Sequence, residues 1–114
     1  MQGLTALHGT NFLKLKIMIT YEIENSVYEA LAQRIFDKLS GNYLNTVIEL
    51  VDGDVEITFK ITAIAYYRKN GDVSGDWEEL TDLVPIWWEC HTYLYGNEII
   101  NNVSFNVLKD FILK

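Results

Sequence analysis

The chain of 114 residues holds a single cysteine, so no internal disulfide can form, and no Cys/His spacing of the zinc type occurs. Such cysteine usage predicts a reducing, intracellular home, and a cytoplasmic location is the expectation. No apolar stretch approaches the ~20 residues that a membrane span needs. The opening "MQGLTALHGTNFLKLK" lacks a basic start followed by an apolar run, so no signal peptide is visible and no membrane partner is expected. Basic residues are missing from one third of the chain: between Asn70 and Leu108 there is no Lys or Arg. Also missing are G-x-S-x-G, a phosphate-binding glycine loop, H-E-x-x-H and a dinucleotide fingerprint. Catalysis is left without a convergent site, and no cofactor is expected.

What is present describes a folded protein. Apolar residues make up 49% and aromatics 13%, enough for one domain to bury a core without staples. The net charge of -7 is concentrated. Asp72, Asp76, Glu78, Glu79, Asp82, Glu89 and Glu98 lie in the segment without cations, and the remainder is balanced. A field of that sign repels nucleic acid and anionic lipid and favours a basic protein partner.

Periodicity gives the elements. "FLKLKIMITYEI" (12–23) alternates as a half-buried strand with Leu13, Leu15, Ile17, Ile19, Tyr21 and Ile23 on one face. Starting the chain at Met18 would remove half of that face, so the longer form is kept. "NSVYEALAQRIFDKLSG" reads as a helix, with Ser26 as N-cap and Glu29 completing a capping box. Its buried stripe is Val27, Ala30, Leu31, Ile35 and Leu39, and Gly41 closes it. "LNTVIELV" and "VEITFKITAIAYYR" flank Asp-Gly-Asp as a hairpin, with Val55, Ile57, Phe59, Ile61, Ala63, Ala65 and Tyr67 facing the core. "KNGDVSGDWEELTDLV" is expected as a long irregular acidic connection, in which Trp77 to Leu80 could pair briefly. "PIWWECHTYLY" is the next strand, "YGNE" a turn or strand end, and "NNVSFNVLKDFIL" a closing helix capped by Ser104.

The predicted fold class is therefore α+β, a two-layer sandwich of order β-α-β-β-β-α. An antiparallel-rich sheet carries both helices on one face. Residues 1–11 are expected as a flexible N-terminal extension and 12–114 as the single domain. The last five elements repeat the order of the double-stranded-RNA-binding domain. That family reaches phosphates with lysines at the start of its second helix, and Ser104 to Leu108 contain none. Nucleic acid is therefore not expected as a partner.

Alternation in the aromatic strand separates its unusual residues. Ile86, Trp88, Cys90, Thr92 and Leu94 are assigned to the core, where Cys90 is a small buried hydrophobe rather than a nucleophile. Trp87, Glu89, His91, Tyr93 and Tyr95 are assigned to the open face, beside Lys60, Thr62, Ile64 and Tyr66 if the strands are neighbours. Trp77, Glu78, Glu79 and Asp82 add the acidic loop to this candidate binding surface. An open aromatic face suits a partner or a second copy of the chain, so a homodimer through it is a further expectation. Glu89 and His91 stand two apart on one strand face and are the candidates for acid–base work, though that spacing is common. For a metal, "NGDVSGDWEELT" places Asp72 and Asp76 as weak candidates only. It begins with Asn70 and ends at Thr81, where an EF-hand loop needs Asp and a bidentate Glu. The reading is a small non-catalytic interaction protein. The alternative is a small-molecule binder or minor enzyme centred on Glu89 and His91.

Overall fold

Alternating apolar residues dominate the middle of the chain, and there the backbone is almost wholly extended. A computed structural model describes residues 19–114. The N-terminal extension and most of the predicted first strand fall outside the described residues. Strand β1 (Thr20–Tyr21) is followed by helix α1 (Asn25–Lys38). Four strands come next: β2 (Tyr43–Asp52), β3 (Val55–Asp72), β4 (Gly75–Leu94) and β5 (Asn97–Asn101). Helix α2 (Phe105–Ile112) closes the chain. The sheet order is β1-β5-β4-β3-β2, antiparallel except where β1 pairs in parallel with β5. This is the expected α+β sandwich with both helices on one face, and the short β5 extends the predicted order by one strand.

Turn chemistry fixes the hairpins. Asp52 pairs with Val55 across the loop residues Gly53 and Asp54, and Gly53 takes a left-handed φ of +63°. Leu94 pairs with Asn97 across Tyr95 and Gly96, whose φ values are +50° and +82°. Two successive positive φ angles make the primed turn that matches the twist of its strands. Tyr95 therefore sits in a turn and not on the open face. Its hydroxyl donates to Asp54 at 2.8 Å, tying the two turns together.

The helices depart from expectation at the first cap. Glu24 occupies the N-cap position with no side-chain cap bond, and Ser26 lies inside the first turn, so no capping box forms. The buried stripe of α1 is Val27, Tyr28, Leu31, Ala32 and Ile35, whereas Ala30 is exposed. Tyr28 is drawn in by two partners: it stacks on Phe111 at 5.7 Å, and its hydroxyl accepts the Ser104 N–H. Ser104 does cap α2, its hydroxyl accepting the Val107 N–H.

The largest departure is the predicted irregular connection. Residues 69–84 complete one hairpin of 18-residue β3 and 20-residue β4, closed at Val73–Ser74. Asp72 shapes that turn by accepting from both the N–H and the hydroxyl of Ser74. β2 stops opposite Ile64, so β3 and β4 run on alone as a two-stranded arm. Twenty residues at about 3.3 Å each span roughly 66 Å. The molecule accordingly measures 76 × 24 × 18 Å, with a radius of gyration of 19.2 Å, against roughly 13 Å for a compact domain of this length.

Two β-bulges, on either side of Pro85, adjust the long hairpin. Pairing passes from Thr62–Trp87 to Ala63–Pro85, leaving Ile86 without a partner. It then passes from Tyr66–Asp82 to Tyr67–Leu80, leaving out Thr81. Each extra residue reverses the alternation. Leu80, Leu83 and Trp88 thereby all turn towards the helices, and Leu83 is fully buried. Ile86, expected in the core, is 60% exposed. Trp88 lies between Phe59 and Phe105, at ring distances of 5.8 and 6.0 Å.

Candidate functional site

The residues of the open sheet face are arranged in rows by register. One row is Tyr43, Ile64 and Val84; the next is Asn45, Thr62 and Trp87. On one side of these lies Tyr66 opposite Asp82. On the other come Val47, Lys60 and Glu89, then Glu49, Thr58 and His91, then Val51, Glu56, Tyr93 and Glu98. The face is thus divided. Tyr43, Tyr66, Val84, Ile86 and Trp87 are all exposed and make an apolar patch around Ile64. Towards the Tyr95 turn the face becomes acidic, with Glu49, Glu56, Glu89 and Glu98 around Lys60 and His91.

Within the acidic part, His91 lies between two carboxylates. Nε2 is 2.6 Å from Glu89 and Nδ1 is 2.7 Å from Glu98. Hydrogen bonds to Glu98 first and Glu89 second raise the imidazole pKa above its ordinary value near 6.5. The charged form therefore gives stability that is fully present below about pH 6.5 and is lost as pH rises through the folded-state value. The three side chains are 32%, 37% and 56% exposed, so the gain is that of a screened surface network. An NMR titration should place the His91 pKa above 6.5. Glu98→Gln should lower it more than Glu89→Gln does, and equal values in all three proteins would contradict this arrangement.

The structure places Trp87, Glu89, His91, Tyr93, Lys60 and Tyr66 on one sheet face, spread along β3 from Glu56, opposite Tyr93, to Tyr66. It separates Trp77, which lies opposite Asn70 on the arm, eight residues or roughly 26 Å along β3 from the Trp87 row. The acidic loop is also less of a charged field than its sequence implies. Glu79 accepts from Arg68 at 2.9 Å and from Asn70 at 2.7 Å, which holds it below the usual carboxylate range. Glu78 stands across from Lys69, and Asp82 accepts from Lys109 at 2.9 Å. Cations outside the acidic segment thus face the three carboxylates assigned to binding. The carboxylates of the sheet face, Glu49, Glu56 and Glu98, were not legible as a group.

Cys90 faces the helices and packs against both core clusters, and burial pushes its thiol up to about 11. That is the environment of a packing residue, not of a thiolate nucleophile. Asp72 is engaged in its own turn, and among the described residues no group of three or more His, Cys, Asp or Glu converges for a metal. A hollow of about 450 Å³ opens between the helices beside Ala32, Phe36, Phe111 and Ile112. Two others lie near Arg34 and Glu49, one beside Lys38 and Val47 and one lined by both strands of the β2–β3 hairpin from Leu50 to Thr58. Glu89, His91 and Trp87 line none of these three. Among the described residues no helix is long and apolar enough to cross a membrane. Comparison with known protein families, curated proteins and solved structures finds no match in any of the three.

Proposed function

We propose that this chain is a non-catalytic interaction protein that binds a protein partner on its open sheet face. The observation that carries the reading is the division of that face: an exposed apolar patch adjoins an acidic rim, on the side opposite both helices. Monomeric domains rarely leave such patches exposed without a use. Trp87 and Tyr66 supply large contact areas of the kind that dominate binding energy. Glu49, Glu56 and Glu98 select a partner whose contact surface has basic groups around an apolar centre. The partner's charges thus meet the sheet face, and the arm's carboxylates serve mainly its own pairing. Residence in the cytoplasm fits a lone, half-buried thiol.

The test is affinity for a partner recovered by cross-linking to the wild-type chain. Trp87→Asp should weaken binding by more than about 30-fold, the effect of an interface residue contributing 2 kcal/mol or more. Val73→Asp, on the distant arm tip, should leave it unchanged. Reversing Glu49, Glu56 and Glu98 to Lys should weaken binding and flatten its salt dependence. Equal loss for Val73→Asp and Trp87→Asp would sink the assignment to this face. If the face joins two copies instead, Trp87→Asp halves the molar mass. The small-molecule alternative rests on the 2.6 Å contact between Glu89 and His91 and requires a ligand whose binding fails in Glu89→Gln while partner affinity holds.

A further inference from the structure

β2 is an edge strand without the usual protection of an edge. Across Tyr43–Asp52 it pairs with β3 residue for residue, with no bulge, whereas β4 has two. It contains no Pro and no Lys, the two residues that most often blunt an edge. Among the described residues nothing pairs with its outer side. The Ala65 N–H donates to the Asn42 carbonyl just before the strand begins. Antiparallel alternation from that bond turns the even-numbered residues of β2 towards β3 and aims the N–H and C=O groups of Tyr43, Asn45, Val47, Glu49 and Val51 outward.

We infer that this edge joins two copies of the chain by antiparallel β2–β2 pairing about a twofold axis at Val47, giving one continuous sheet of ten strands. The strand is self-complementary in that register. Val47 meets Val47, Asn45 meets Glu49, and Tyr43 meets Val51, an aromatic against a β-branched residue. Beneath the sheet, Leu44 meets Leu50 and Thr46 meets Ile48. Tyr43, Val47 and Val51 are exposed in the single chain, and the pairing covers them. A hollow beside the edge is lined by Arg34 and Lys38 of α1 together with Val47, Ile48 and Glu49, and a second strand fills it. Edge pairing takes Tyr43 from the margin of the apolar patch but leaves Tyr66, Val84, Ile86 and Trp87 exposed, so this inference stands or falls separately from the proposed partner binding.

The experiment is the solution molar mass by light scattering, with circular dichroism to confirm the fold. Wild type should weigh twice the 13.2 kDa of the chain. Val47→Pro removes one outward N–H without touching the β3 ladder, and Val47→Lys places two like charges at the axis. Both should weigh 13.2 kDa, and Trp87→Asp should remain a dimer. If Val47→Pro fails to fold, Val47→Lys decides, read also by hydrogen exchange. The amides of Tyr43, Asn45, Glu49 and Val51 should exchange slowly in wild type and fast in Val47→Lys, with Leu44 and Ile48 slow in both. A monomeric wild type at every concentration, a Val47→Lys dimer, or a dimer lost only in Trp87→Asp would each overturn the edge assignment.

Discussion

A Phe59→Ala chain should lose about 3–5 kcal/mol of stability, the usual cost of removing a buried aromatic ring. Phe59 has no exposed surface, and its ring stacks on Trp88 at 5.8 Å and 25°. The two are diagonal neighbours, since Phe59 pairs with Cys90 and Trp88 with Ile61. Trp88 in turn contacts Phe105 at the start of α2. Losing Phe59 therefore removes burial, leaves a cavity and frees one side of the ring that holds α2 on the sheet. Aromatic pairing adds about 0.5–1.5 kcal/mol to the burial itself. An elongated molecule has little core in reserve, and total stabilities run only from about 5 to 15 kcal/mol. In urea the midpoint should fall by about 2 M at the slopes typical of small domains. The comparison is Phe36→Ala, on the exposed side of α1, which should change it little. Equal midpoints for wild type and Phe59→Ala would remove Phe59 from the centre of the core.

Where burial alternates strictly, the sequence was sufficient. β3 shows this: Ile57, Phe59, Ile61, Ala63 and Ala65 are all buried, as period two demands. The Glu89–His91 contact was legible for the same reason, because two residues apart on a strand share a face. Their third member, Glu98, was not, since it reaches His91 only through the β4–β5 register. The arm carries almost no buried residue, so its strands have no apolar alternation to read, and Gly71, Gly75 and Asp72 resemble a loop. What holds it extended is cross-strand: Arg68 and Asn70 both bond Glu79. Ser26 was misread because a capping box depends on where the backbone enters the helix. Here the chain enters the helix two residues earlier, with the Val27 and Tyr28 N–H groups bonded to the Glu24 carbonyl.

Deleting one residue from β4 should cost more or less stability depending on which one is removed. Ile86 has no partner on β3, while its neighbours Pro85 and Trp87 already face consecutive residues, Ala63 and Thr62. Without Ile86 the ladder closes over the gap, and Leu83 and Trp88 keep their faces. The fold should survive with a loss of about 1–2 kcal/mol, or roughly 10 °C in Tm for a domain of this size. Glu89 faces Lys60 in regular pairing. Removing it shifts the pairing by a residue and turns side chains to the other side as far as the next irregularity. Either the bulge is consumed, which keeps Leu83 buried but turns Trp88 out and Trp87 in, or Cys90, Thr92 and Leu94 leave the core, and the loss of stability should exceed that of the Ile86 deletion. Pro85 was the sequence signal for this, because a proline inside a long central strand marks a bulge. Calorimetry of the two deletions decides: an equal loss of stability, or a larger one without Ile86 than without Glu89, would refute the bulge. The same insertion keeps Trp88 in the core while Trp87 and Ile86 stand exposed on the face proposed to bind a partner. A folded chain lacking Ile86 should therefore bind its partner more weakly than wild type, although no charge has changed.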